Sequence, residues 1–208
     1  MAEIEDVSVM TEVLRPFLRP KEKVFVCSFR ESGCAFRQAA ETAVRNLGAE
    51  SVCWSGQKSW QSLLRQVFSQ RATVIIGAPQ LILGLAKITK ITGTPLQVRH
   101  VVMLDPEEEP WLARGIQESL DAQIHFVSCS TPSACLWGKD DPVVRELAAQ
   151  LLPWSSILDF RAERTEQGLR LEILVFPGRK LPKLPSGACV TVRPWDPRLD
   201  APFCLCRD

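Results

Sequence analysis

Several features that would point directly to a function are missing from this sequence of 208 residues. No apolar run reaches the roughly 18–20 residues that a membrane-spanning helix needs, and the acidic start MAEIEDVSVM lacks the basic and apolar regions of a signal peptide. The net charge is +1, so no excess of basic residues points to nucleic acid or to an anionic membrane. We therefore expect a cytoplasmic protein that binds neither nucleic acid nor membranes.

Glycine-rich phosphate-binding motifs are also missing, because neither GxGxxG nor GxxxxGK[ST] occurs anywhere in the chain. The eight cysteines belong to a chain of ordinary globular composition, and several lie in apolar segments, which favours free thiols over disulfides. The spacings of four cysteines that could share a zinc ion fit no common zinc motif: Cys129, Cys135, Cys204 and Cys206. These residues predict no metal site and no cofactor.

Apolar segments of strand length alternate with segments of helical periodicity over most of the chain. The predicted strands are KVFVCSF (23–29), AESVCW (49–54), ATVIIG (72–77), VRHVVML (98–104) and AQIHFVS (122–128). They are continuously apolar, which is typical of a parallel sheet buried on both faces. The predicted helices span residues 4–17, 34–47, 58–69, 79–88, 110–120 and 140–151. The sequence therefore predicts an α/β fold with a largely parallel sheet of about five strands and helices on both faces.

The pattern changes after Pro153, where short segments with strand-like alternation replace the strand and helix units. The segments are LRLEILVF (169–176), GACVTVRP (187–194) and FCLC (203–206). They predict a small C-terminal antiparallel β element packed on the α/β part. The expected division is an α/β domain over residues 1–153 and a small β subdomain over residues 154–208.

Ligands of open parallel sheets bind beyond the carboxyl ends of the strands. The segments at these positions are SFRESGC (28–34), WSGQKSW (54–60), GAPQ (77–80), DPEEEPW (105–111) and SCSTPSA (128–134). Each has an ordinary structural interpretation as a turn or a helix start, and none contains a recognisable catalytic pair. His100 and His125 lie inside apolar strands, where we expect buried, hydrogen-bonded rings rather than ligands or bases.

Taken in order, several segments resemble the phenylacetate–coenzyme A ligase family of adenylate-forming enzymes, within the large N-terminal domain of those enzymes. RATVIIGAPQLILGLAK (71–87) is similar to the family's strand, TPS turn and leucine-rich helix. VRHVVMLDPEEEPWLARGIQESL (98–120) is similar to its strand, GAEPW turn and following helix. LPSGACVTV (184–192) resembles its LPxGExGELV hairpin, and APFCLCRD (201–208) resembles its LPxIRYRTRD segment. The resemblance covers most of the chain, from about residue 24 to residue 208.

The resemblance implies a ligand-binding edge for ATP, AMP or coenzyme A. By position, its residues are Gly77, Ala78, Pro79, Glu109, Trp111, Ser128, Thr131 and Asp208. Among them, Glu109 and Trp111 belong to the EPW that this chain shares with the family. Asp208 matches the aspartate with which the family grips the ribose of ATP.

The sequence departs from the family at the residues that bind ATP and magnesium. IHFVSCST (124–131) falls where the family has DIYGxSE, so Val127 and Ser128 replace its adenine-stacking Tyr-Gly pair, and Thr131 replaces its magnesium-binding glutamate. We also expect the family's phosphate loop and C-terminal lid to be absent. Because adenylation needs cations and oriented donors around the reacting phosphorus, the resemblance implies a catalytically incomplete relative with no activity on its own.

Three functional hypotheses remain open. The first is a non-catalytic relative that serves as a binding or interaction module, and the second is the acyl-binding half of a two-chain AMP-forming carboxylate–CoA ligase. The third sets the resemblance aside and predicts an unrelated flavodoxin-like interaction protein, with a strand order unlike that of the adenylating enzymes. A sheet truncated relative to the family exposes edges that pair readily, so we expect a homo-oligomer or a protein partner that covers it.

Overall fold

The computed structural model of the protein describes residues 2–27, 35–54, 59–77, 79–104, 110–127, 142–166, 168–184, 186 and 188–197. The helices are α1 (Ala2–Leu14), α2 (Ala35–Asn46), α3 (Trp60–Gln70), α4 (Pro79–Thr92), α5 (Pro110–Leu120) and α6 (Pro142–Leu151). The strands are β1 (Lys23–Cys27), β2 (Glu50–Trp54), β3 (Val74–Gly77), β4 (His100–Leu104), β5 (Gln123–Val127), β6 (Ile157–Thr165), β7 (Gly168–Val175) and β8 (Ala188–Pro194). In this part of the chain, no helix has the length and apolar character needed to cross a membrane.

Strands β1 to β5 form one sheet in the order β2-β1-β3-β4-β5, and every neighbouring pair in it is parallel. The central strands are apolar because side chains from both of their faces are buried; β1 is buried from Val24 to Cys27, and β3 over its whole length. The predicted α/β fold with a five-stranded parallel sheet is therefore confirmed.

Helices cover both faces of this sheet. On one face, Val24, Val26 and Ile76 pack with α1 and α2 in a single apolar cluster. On the other face, Phe25 and Ile75 belong to a larger cluster that takes in α3, α4 and α5 and continues into the second sheet. The two parts of the chain therefore share one continuous apolar core.

Helix α4 lies at the centre of that core, because every residue from Pro79 to Thr89 is buried. It contacts β3, α3, α5 and β6. Gly84 lets the indole of Trp60 lie directly on the α4 backbone, since a Cβ at position 84 would fall 2.5 Å from Cζ3 and 2.7 Å from Cζ2 of that ring. Helix α4 therefore joins the parallel sheet to the second sheet, and it has no solvent-exposed face over most of its length.

The second sheet contains β6, β7 and β8 in that order. Strands β6 and β7 form an antiparallel hairpin, whereas β8 pairs parallel to β7, so the sheet is mixed rather than wholly antiparallel. The predicted segments 169–176 and 187–194 correspond to β7 and β8. The structure adds β6, which the sequence pattern did not predict, and the FCLC segment lies outside the described residues.

The amino ends of three neighbouring strands are joined by one carboxylate. Glu22, just before β1, accepts hydrogen bonds from Thr73 Oγ1 (2.6 Å) before β3, from Arg99 Nη2 before β4 and from the Arg19 backbone N–H (3.0 Å). Burial on its own raises the pKa of Glu22, but these donors outweigh it and leave that pKa below its ordinary value. We call Glu22, Thr73 and Arg99 the amino-edge clamp.

We expect Glu22→Gln to destabilise the fold by about 1–3 kcal/mol near neutral pH, because it removes the negative charge that pairs with Arg99. A carboxyl group with a lowered pKa stabilises the folded state above its unfolded pKa and loses that contribution as the pH falls. The difference between the wild type and the variant should therefore shrink below the ordinary pKa of 4.5. Urea unfolding at several pH values measures it. The control is Glu12→Gln, which breaks an exposed ion pair with Arg15 and should change little.

Candidate functional site

The carboxyl ends of β1 to β5 lie along one edge of the parallel sheet, called here the carboxyl edge. In the order β2-β1-β3-β4-β5, the chain leaves β1 toward β2 on one side and later returns to β3 on the other. Such a switch point opens a crevice beyond the strand ends, and open α/β sheets bind ligands there. In this protein the switch point lies between the ends of β1 and β3, whose last residues, Cys27 and Gly77, are paired in the sheet register.

The two strand ends at the switch point approach each other closely. A Cβ on Gly77 would fall 2.6 Å from Cβ of Cys27 and even nearer to the Cys27 carbonyl oxygen, a separation that real side chains do not adopt. Glycine is therefore required at position 77 for space. The ends of β1 and β3 are therefore in direct contact at this point, without a side chain from Gly77 between them.

Two helix starts border the same edge. Helix α4 begins at Pro79, directly after β3, and helix α5 begins at Pro110, after β4. Pro79 is buried, and Trp111, in the first turn of α5, is half-buried and packs against the large apolar cluster. Both residues therefore have a packing role at the start of their helices.

The structure brings three of the predicted ligand-binding residues together, since Gly77, Pro79 and Trp111 all lie at the carboxyl edge of the neighbouring strands β3 and β4. The other predicted residues lie outside the described part of the chain: Ala78, Glu109, Ser128, Thr131 and Asp208. Strand β5 ends at Val127, directly before the segment that would carry Ser128 and Thr131.

The two histidines lie away from the carboxyl edge. His100 opens β4 at the amino edge, and His125 is the middle residue of β5. The predicted hydrogen bonding of these rings is confirmed, because His100 Nδ1 lies 3.1 Å from His125 Nε2. Both rings are half-buried rather than fully buried.

Lys87 is a buried charged residue that the sequence did not single out. Its ammonium group donates to the carbonyl oxygens of Leu152 (2.5 Å), Trp154 (3.1 Å) and Ile157 (2.6 Å), which follow α6 and open β6. Burial lowers the pKa of Lys87 to about 7, against the opposing effect of the nearby Asp159 charge. Since all three acceptors belong to the backbone and the group is closed off from solvent, Lys87 acts as a structural tie between α4 and the second sheet.

Metal ligands do not cluster in the part of the chain that the structure describes, where no three His, Cys, Asp or Glu side chains are placed to hold an ion. Neither Cys27, which is buried, nor Cys189, which is exposed, forms a disulfide among the described residues. The four cysteines considered for zinc lie outside the described residues: Cys129, Cys135, Cys204 and Cys206.

Comparison with known proteins supports the fold alone. No protein-family model matches the sequence, and no curated protein matches it significantly. An open conformation of 2-hydroxyisobutyryl-CoA ligase, in complex with 2-HIB-AMP and CoA, superposes with a TM-score of 0.52 at 14% identity. The match covers 62% of this chain and 31% of the ligase chain. The postadenylation state of that ligase gives a TM-score of 0.50 at 14% identity over 62% and 28% of the two chains.

The N-terminal domain of FACL13 from Mycobacterium tuberculosis has a TM-score of 0.49 at 10% identity, over 79% of this chain and 42% of that one. Together with the expectations above, the superposition on 2-hydroxyisobutyryl-CoA ligase shows that this chain has the α/β fold of an adenylate-forming domain. The chain spans less than a third of the ligase's length. The narrower resemblance to phenylacetate–coenzyme A ligases remains a prediction.

The strand order does not separate the open hypotheses. The order β2-β1-β3-β4-β5 is the one found in flavodoxin-like sheets. The third hypothesis predicted an order unlike that of the adenylating enzymes, yet 62% of this chain superposes on an adenylate-forming ligase. The distinction therefore depends on the residues at the carboxyl edge and on binding experiments.

Proposed function

We propose that this chain is a non-catalytic relative of the adenylate-forming domain that binds a ligand or a protein partner at its carboxyl edge without turnover. The fold supports the relationship, since 62% of this chain superposes on part of 2-hydroxyisobutyryl-CoA ligase. One sequence observation supports the proposed lack of catalytic activity. Val127, Ser128 and Thr131 occupy the positions where the resembled family has its adenine-stacking Tyr-Gly pair and its magnesium-binding glutamate.

Each replacement removes a different part of the ATP chemistry. Valine offers no aromatic face on which adenine can stack. The Thr131 hydroxyl is neutral, whereas magnesium bound with phosphates is usually held by one or two carboxylates. Since losing a single oriented donor in an active site costs about 10²–10³ in rate, the combined replacements place turnover far below that of an intact enzyme.

The decisive assay measures pyrophosphate release. The purified chain is incubated with ATP, magnesium and a panel of aliphatic, aromatic and hydroxy carboxylates, and release is compared with the same mixture without protein. We expect no increase with any carboxylate. Release that requires both ATP and a carboxylate, and that follows protein concentration, would contradict the proposal.

Calorimetric titration with ATP, AMP and coenzyme A identifies what the carboxyl edge binds. Nucleotide binding in the wild type that weakens at least tenfold in Asp208→Asn would assign the ligand to the edge that the resemblance implies. Binding unchanged by that substitution would place the nucleotide elsewhere and contradict this edge as its site. No heat from any of the three ligands would leave a protein partner as the ligand class.

A second candidate is the acyl-binding half of a two-chain AMP-forming ligase. It is favoured by one observation, namely that Gly77 ends β3, while Pro79 and Trp111 begin the helices that follow β3 and β4 at the carboxyl edge. This candidate requires a second polypeptide that supplies the phosphate-binding residues. Carboxylate-dependent AMP formation by a co-purified pair, absent from either chain alone, would establish it and would replace the first proposal.

A further inference from the structure

Three aromatic rings meet on the face of the parallel sheet that α1 and α2 cover. Phe17, in the turn after α1, lies with its ring centroid 4.1 Å from that of His125 and 6.0 Å from that of His100. The two imidazoles are 5.2 Å apart by the same measure. The connection between α1 and β1 therefore rests on the histidine pair through the Phe17 ring.

The bond between the two histidines depends on their protonation. One ring nitrogen must donate and the other must accept, so at least one imidazole has to be neutral at the nitrogen that accepts. If both rings are charged, neither can accept, and two cations face each other at the 3.1 Å separation of His100 Nδ1 and His125 Nε2. Acid therefore converts this contact from attractive to repulsive.

The charged groups around the pair mostly oppose its protonation. Burial lowers the pKa of His100, Arg99 and Arg19 lower it further, and Glu22 raises it. At His125, burial lowers the pKa first, and the neighbouring His100 adds to the effect. A lowered histidine pKa means that the closed contact takes up protons less readily than an open one, so its stability is present above the ordinary value of 6.5 and falls below it.

We propose that His100 and His125 form an acid-operated latch that holds the connection between α1 and β1 against strands β4 and β5. The latch is closed when the two rings share one hydrogen bond and Phe17 packs on His125. Double protonation breaks the bond and pushes the rings apart, which removes the surface on which Phe17 rests. Opening uncovers the His125 side of β5.

The opening is local rather than global. Helix α1 is anchored separately in the core by Met10 and Leu14, both of them buried. In the connection, Leu18 is also buried, so we expect opening to be confined to the residues around Phe17. The connection itself is held by a few backbone bonds, from the Phe17 N–H to the Leu14 oxygen (3.0 Å) and from the Lys21 N–H to the Gly48 oxygen (2.7 Å). Segments with few such bonds open with a small fraction of the global unfolding free energy.

Hydrogen exchange of the full chain tests the latch. Amide protection at Phe17, Arg19 and Lys21 is compared at pH 7.5 and at pH 5.0, after correction for the intrinsic pH dependence of exchange. At a pH between the lowered pKa of the closed pair and the ordinary histidine value of 6.5, opening takes up one proton and becomes up to about tenfold more favourable per pH unit. We expect the wild type to lose protection at these amides in acid, while the core amides of β1 and β3 keep theirs.

His125→Gln is the matched control, since glutamine offers both a donor and an acceptor but does not titrate. Its protection at the three amides should not change between the two pH values. The same acid response in the variant and the wild type, or no acid response in the wild type, would overturn the latch. Should His125→Gln fail to fold, NMR titration of the wild-type histidine ring protons decides instead. Two histidines that titrate independently near 6.5 would refute the proposal, and two steps displaced below that value would support it.

Discussion

Gly77→Ala is expected to destabilise the protein by about 3 kcal/mol, at the upper end of the usual cost of overpacking. The new methyl group would overlap Cβ of Cys27 and the Cys27 carbonyl oxygen. The oxygen belongs to the backbone of a central buried strand, so it cannot rotate away as a side chain would. Relief requires β1 and β3 to separate at the switch point, which breaks the register pair that they form there.

Gly115→Ala provides the control for this substitution. Gly115 lies inside α5, and a Cβ there would meet only the Leu83 Cδ1 atom, at 3.4 Å. Because alanine favours a helix interior over glycine, we expect this variant to gain roughly 0.5–1 kcal/mol. Urea unfolding measures both changes. Equal stability of Gly77→Ala and the wild type would show that the strand ends can separate freely and would remove the steric argument for Gly77.

Lys87→Met is the other change with a large expected effect. Methionine preserves most of the volume but leaves the carbonyl oxygens of Leu152, Trp154 and Ile157 without the lysine donor. We expect a loss of about 2–4 kcal/mol, summed over these buried acceptors. The loss should appear in the packing of α4 against the second sheet.

The pH dependence of this loss has a definite sign. With the pKa of Lys87 lowered to about 7 in the folded state, the unfolded chain binds more protons between pH 7 and the ordinary value of 10.5. Wild-type stability relative to Lys87→Met should therefore rise with pH across this window, by up to ~1.4 kcal/mol per unit. Unfolding at pH 6, 7, 8 and 9 measures the slope, and the exposed Lys90→Met serves as control. Parallel profiles for wild type and Lys87→Met would contradict a proton-linked role.

The parallel sheet could be predicted because its sequence signal is strong. Segments such as ATVIIG (72–77) are continuously apolar and are bounded by helical segments. This pattern is typical of a parallel strand that is buried on both faces. Glycine and proline marked the boundaries, as with Pro79 at the start of α4. The observed strands differ from the predicted ones by only a few terminal residues.

The second sheet was harder to predict because its signals conflict. Strand β6 begins with four consecutive buried residues, Ile157 to Phe160, and one of them is the charged Asp159. Its pairing with β7 is also irregular between residues 157 and 159. The strand therefore lacks the alternation of buried and exposed residues that would mark it in the sequence. The direction of β8 carries no periodic signal at all. Residues 176–187 connect it to β7 and are enough for a crossover, which makes the parallel pairing possible.

Residues whose role depends on distant partners could not be found from the sequence. A lysine in a predicted helix is expected at the surface, yet Lys87 is buried because three carbonyl groups from residues 65 to 70 positions away converge on it. The histidine pair could be predicted only as two hydrogen-bonded rings, since nothing in the chain shows that β4 and β5 are neighbours. For the candidate site, the sequence predicted ligand binding at the carboxyl edge, and the structure describes three of the predicted residues there; ligand binding at this edge stays a prediction.

The amino-edge clamp has a consequence for how such a fold changes over evolution. Glu22, Thr73 and Arg99 hold the beginnings of three strands at one end of the sheet, while the switch point beside Gly77 lies at the other end. Substitutions beyond the carboxyl ends of the strands are therefore expected to leave the alignment at the amino ends intact. A scaffold with its alignment fixed at one end can change at the other end in small steps.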